Sequence, residues 1–106
     1  MAVTDRDTVI SVAGGAKREL LEKRISGALE KILEDRGLYQ SQDGDEGVSV
    51  IEGNEKYRVY LAAPILSQGD VMGCVLFITD AADKTAGETE RALAETAASF
   101  LGRHME

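Results

Sequence analysis

Residues 57–80 read YRVYLAAPILSQGDVMGCVLFITD, and they decide the fold. Two apolar runs, Tyr57–Leu66 and Val71–Asp80, flank Gln68-Gly69, a pair with turn chemistry, so the stretch predicts a β-hairpin. In the second run Met72, Cys74, Leu76 and Ile78 alternate to one face and Val75 and Phe77 to the other. Side chains on a strand alternate between faces, so a strand apolar on both must be covered on both. The expectation is a central strand with helices on each side of its sheet.

Upstream, Val48–Glu52 reads as a third strand of this group, joined to the hairpin through Gly53-Asn54. The N-terminus reads as another hairpin. Ala2–Thr4 is a short strand, Asp5-Arg6-Asp7 supplies the turn, and Thr8–Ala13 is rich in β-branched residues. So short an opening strand is expected where the chain continues a longer protein. Gly14-Gly15 ends the strand and a helical pattern starts at Ala16, with Leu20 and Leu21 on its apolar side. A second helix is expected from the N-cap Ser26, with Ala28, Leu29, Ile32 and Leu33 as its buried face and Gly37 as its terminator. Residues 40–47, polar and acidic, read as the mobile loop of the domain.

The tail from Ala86 to Arg103 predicts a long helix. Glu88 and Glu90 suit its positive N-terminal end, and Arg103 and His104 its negative end. Leu93, Ala97, Phe100 and Leu101 form an apolar stripe wider than one sheet contact requires, so part of it is expected to face a partner. The fold class is therefore α/β (α+β): an antiparallel sheet of about five strands with helices on both faces.

Composition bounds the function. A chain of 106 residues is one domain, and 43% hydrophobic residues suffice for a core without staples. Twelve Lys and Arg against nineteen Asp and Glu give a net charge of −7, the wrong sign for a phosphate-binding surface. Lys17, Arg18, Lys23 and Arg24 are interrupted by Glu19 and Glu22, the pattern of a solvated face. One cysteine permits no internal disulfide and fits a reducing compartment. With no membrane-length apolar run and no secretory leader pattern, the expected location is the cytoplasm.

Catalytic and metal chemistry find little support, so no catalytic residue, cofactor or metal ligand is assigned. The sole histidine, His104, has no partner in sequence. Cys74 alternates with core residues and reads as a small hydrophobe; only contact with His104 would make a nucleophile pair. Asp43-Gly44-Asp45-Glu46 lacks the spacing of a calcium loop. Gly14-Gly15-Ala16-Lys17 stands at a strand-to-helix junction but has neither the spacing nor the hydroxyl of a phosphate cradle.

A family likeness runs through nearly the whole chain and is weakest in residues 40–47. Residues 63–80, APILSQGDVMGCVLFITD, resemble the closing strands of a GAF domain, with Pro64, Ile65 and Gly73 in the characteristic places. Residues 3–36, VTDRDTVISVAGGAKRELLEKRISGALEKILEDR, and 86–106, AGETERALAETAASFLGRHME, resemble the two ends of the GAF domain in the stage V sporulation protein T family of transcription factors. The resemblance implies a regulatory domain that follows an AbrB-type swapped-hairpin DNA-binding domain, in oligomeric regulators of the forespore of spore-forming Firmicutes. It implies DNA contact only through that preceding domain, which these residues do not include. It also implies a homo-oligomer held by the helices flanking the core, here Leu93, Ala97, Phe100, Leu101 and His104, with a small effector as a possible ligand and no ligand residues to carry over. A free-standing interaction module is the alternative. A methionine sulfoxide reductase is disfavoured, because that chemistry needs a resolving cysteine beside its thiolate.

Overall fold

The computed structural model describes residues 1–13, 17–41, 47–54, 56–79 and 87–104. The glycine pair, the acidic cluster 43–46 and the start of the last helix at Ala86 lie outside the described residues. The strands are β1 (Ala2–Thr4), β2 (Val9–Val12), β3 (Tyr39–Gln40), β4 (Val48–Ser49), β5 (Arg58–Ser67) and β6 (Asp70–Thr79). The helices are α1 (Lys17–Leu20), α2 (Gly27–Glu34) and α3 (Glu88–His104). The strands form one antiparallel sheet in the order β2-β1-β6-β5-β3, with β4 beside β3 on the same edge of β5. Among the described residues six strands stand in place of the expected five, because Tyr39–Gln40 adds a two-residue strand, while Val48–Glu52 shrinks to Val48–Ser49.

The β5–β6 hairpin centres the sheet. Its two-residue turn holds Gln68 at φ 52° and Gly69 at φ 84°. Positive φ at both positions matches the strand twist. The register then slips, pairing Leu66 with Val71 and Ile65 with Gly73, so Met72 has no opposite number. This bulge reverses the expected alternation locally: Met72 packs with Val75 and Phe77, and Val71 joins the side of Cys74, Leu76 and Ile78. A second slip, between Val59 and Leu61, puts both Tyr60 and Leu61 on the Val75 side. Gly73 is required because β1 lies so close that a Cβ there would run into the Thr4 carbonyl oxygen.

The N-terminal hairpin forms as expected, with the Asp5 carboxylate accepting from the amides of Asp7 and Thr8 at 2.8 Å each. The first helix is shorter than its pattern suggests. It ends after one described turn, and Glu22 takes a left-handed φ of 66° as the chain turns to bond along β2. In α2 Ser26 is the N-cap: its hydroxyl accepts from the Leu29 amide at 3.1 Å and donates to the Ser49 carbonyl at 2.6 Å. Leu29 and Leu33 are buried and Ile32 is half-buried, but Ala28 is exposed, because eight residues present only a narrow stripe. Arg36, at φ 59°, takes the left-handed position expected of Gly37.

Two cores result. On one face Leu20, Leu29, Leu33 and Val50 pack against Val59, Ala62, Cys74 and Leu76. On the other, Ala94 and Ala98 of α3 pack against Tyr60, Leu61, Ile65 and Val75. Helices thus cover both faces of the central strands, and among the described residues no buried polar side-chain atom lacks a partner. No helix among the described residues is long and apolar enough to cross a membrane.

Candidate functional site

The most distinctive surface belongs to α3. Its sequence sets three small residues, Ala94, Ala98 and Gly102, four apart, so they stack on one face. That face is buried, and small side chains let the helix axis come close to the sheet. At Gly102 the approach is tightest: a Cβ would strike the Leu66 carbonyl oxygen. At the other end the Tyr60 hydroxyl donates to Glu90 Oε2 at 2.6 Å, and the Gly87 amide donates to Glu90 Oε1 at 3.3 Å. Burial, and then the Glu90 carboxylate, raise the Tyr60 pKa, so the phenol stays a proton donor. The helix is therefore fixed at both ends.

Because small residues do the packing, the large ones are left outside. Leu93 is 56% and Phe100 59% exposed. Ala97 is half-buried and His104 exposed, with the His104 and Phe100 rings in edge contact at 4.6 Å between centroids. Positions 93, 97, 100 and 104 are spaced four, three and four, which on an α-helix makes one straight seam. Leu101, like Ala97, is half-buried and packs against the core. Leu93, Phe100 and His104 thus face solvent along one line, which Ala97 completes on its core side, and Leu101 lies off that line. Acidic Glu88 and Glu90 lie at one end of the seam and basic Arg103 and His104 at the other.

The opposite flank of α3 forms a cleft of about 440 Å³ against β5 and the residue preceding β3. Its walls include Leu38, Pro64, Leu66, Ala98, Ser99 and Arg103. No sequence signal announced it, because its residues come from three distant segments.

The two chemically suggestive side chains lie apart. Cys74 is buried on the α2 face, with its sulfur 3.2 Å from the Thr4 hydroxyl, whereas His104 is exposed on the helix covering the other face. Burial pushes the Cys74 thiol up to about 12, only partly countered by Thr4. The expected packing role holds, and no Cys–His pair forms. Among the described residues no three His, Cys, Asp or Glu converge on a metal position. Arg18, Lys23 and Arg24 are exposed and interleaved with carboxylates, Arg24 reaching Glu30 at 4.0 Å and Glu19 reaching Lys56 at 3.9 Å.

Comparison with known proteins agrees with the sequence resemblance. All of residues 1–106 match the family described as "Stage V sporulation protein T C-terminal, transcription factor". The chain is 37% identical over 105 residues to stage V sporulation protein T of Bacillus subtilis (strain 168), an alignment covering 98% of this chain and 57% of that protein. It therefore spans little more than half the length of that relative. The family model's cover of every residue, on a sheet with helices on both faces, carries the assignment: the chain belongs to the stage V sporulation protein T C-terminal family of transcription factors.

Proposed function

We propose that this GAF-like domain regulates an attached DNA-binding domain by pairing α3 with the same helix of a second copy. The observation that carries the reading is the seam Leu93–Ala97–Phe100–His104, whose two large apolar side chains face solvent on a helix whose packing face is already buried. Two large apolar side chains exposed in line cost solvation free energy that a partner helix recovers. Ala97 leaves room for the Phe100 ring of the partner. Antiparallel pairing sets the Glu88–Glu90 end of one helix beside the His104 end of the other and opposes the helix dipoles. DNA contact belongs to the preceding part of the intact regulator, since this chain carries net charge −7. The setting is the cytoplasm of a spore-forming bacterium.

Light scattering after size exclusion tests this. The expected result is a concentration-dependent dimer that becomes monomeric on Leu93→Glu or Phe100→Glu, both exposed and so compatible with folding. A monomer at several hundred micromolar, or a dimer indifferent to both substitutions, rejects it.

A further inference from the structure

The cleft on the other flank of α3 has an apolar floor separate from the pairing seam, and its chemistry is specific. Leu38, Pro64, Leu66 and Ala98 make an apolar floor, and Leu66 remains 43% exposed although it lies in a strand at the centre of the fold. The volume of about 440 Å³ falls within the range of small-molecule sites. The floor does not collapse onto itself, because the contact of Gly102 with the Leu66 backbone fixes helix and strand at that end.

The polar end of the cleft is a donor pair. The Arg103 guanidinium gives one N–H to Ser99 Oγ at 3.4 Å, and among the described residues no carboxylate lies within ion-pair reach of it. Arg24, Arg36 and Arg91 have Glu30, Asp70 and Glu95 within 4.0 Å, whereas Arg6 and Arg18, like Arg103, have no ion pair among the described residues. Glu95, also on the cleft wall, is held by Arg91 at 3.3 Å and so does not compete for Arg103. The remaining guanidinium N–H groups and the Ser99 O–H can converge on one acceptor.

The geometry points to a binding site for an amphipathic monocarboxylate: its head on Arg103 and Ser99, its apolar chain on Leu66, Pro64 and Leu38. A single negative charge suits the site better than a phosphate. The helix C-terminus is itself partly negative, and the domain's net charge of −7 repels multivalent anions. The apolar floor of the cleft lies away from the seam; Arg103 borders both, since it also lines a shallow pocket with Phe100 and His104.

Octanoate serves as the probe, titrated into the 106-residue chain by calorimetry and by amide chemical shifts. Binding is expected, with shifts at Leu38, Leu66 and Ser99. Octanol, which lacks the charge, and octylammonium, which inverts it, bind about tenfold or more weakly. Arg103→Gln lowers octanoate affinity about tenfold or more, Arg103→Lys less, and Leu66→Ser weakens octanoate and octanol alike. Leu93→Glu leaves octanoate binding unchanged even where it abolishes pairing, which separates this site from the seam. No saturable octanoate binding at millimolar concentration overturns the proposal. So does equal binding of all three probes, or affinity unchanged in both Arg103→Gln and Leu66→Ser.

Discussion

Gly102 of α3 rests directly on the backbone of Leu66 in β5, with no room between them for a methyl group. The seat of the helix therefore depends on a missing side chain. Glycine inside a helix normally costs about 1 kcal/mol relative to alanine. Here Gly102→Ala is expected to destabilise instead, by about 1–2 kcal/mol, because the added Cβ must push helix and strand apart. Gly27→Ala gives the opposite sign. Its Cβ would stand 3.5 Å from Glu52 Oε1, an ordinary contact, so a gain of about 0.5 kcal/mol is expected from the reduced freedom of the unfolded chain. Urea midpoints of the two variants check the pair; a stabilised Gly102→Ala refutes the close seat.

Alkaline pH should loosen the fold through two groups. Burial raises the Cys74 thiol from 9.0 to about 12, and burial with Glu90 raises the Tyr60 phenol above its ordinary 10.0. A raised native pKa means that the unfolded chain loses its proton first. The stability tied to Cys74 is thus complete below pH 9 and lost progressively from there to about pH 12; that tied to Tyr60 is complete below pH 10 and lost above it. Melting curves from pH 8 to 11 are expected to fall from pH 9 in the native chain and only from about pH 10 in Cys74→Ala. Tyr60→Phe removes the later part of the slope and costs about 1–2 kcal/mol at neutral pH, since Glu90 loses a donor.

The same burial sets the reactivity of the thiol. A rise from 9.0 to about 12 reduces the thiolate fraction near pH 8 about a thousandfold, before any loss of access is counted. The higher nucleophilicity of a more basic thiolate offsets part of this, so labelling by a disulfide reagent is expected to be slower than for free cysteine by well over tenfold, and to recover its full rate in urea. Prompt labelling of the folded chain contradicts the packing role.

How much of this was legible depended on whether a feature is local. Ser26 as an N-cap and the turn at Gln68-Gly69 need only neighbouring residues, and both stand where the sequence puts them. The two apolar faces of residues 71–79 follow from strand alternation. The reversal at Met72 does not, because the bulge is a property of the pairing between β5 and β6. The two-residue strand Tyr39–Gln40 is too short to leave a pattern. In α3 the helical period is plain, but hydrophobicity ranks Leu93 and Phe100 above Ala94, Ala98 and Gly102, whereas the sheet selects for close approach and buries the small ones. That inversion divides the expected stripe: Leu93 and Phe100 face solvent, while Ala97 and Leu101 pack against the core. The cleft beside Arg103 was invisible, since residues 38, 64–66 and 98–103 meet only in the folded chain.

The orientation of the paired helices gives the final prediction. If the two-fold axis passes between Ala97 and Phe100, Leu93 of one copy faces His104 of the other, eleven residues from its own counterpart. At 1.5 Å per residue that separates the two Leu93 positions by about 16 Å, far beyond the 7 Å limit for a disulfide. With Cys74 replaced by alanine, Leu93→Cys alone is therefore expected not to oxidise to a covalent dimer. A mixture of Leu93→Cys and His104→Cys chains is expected to give the mixed dimer, read on a non-reducing gel and by mass. Parallel pairing reverses the outcome, because each Leu93 then meets its own copy. Formation of the Leu93→Cys homodimer at the rate of the mixed one defeats the antiparallel arrangement while leaving the seam itself to the light-scattering test.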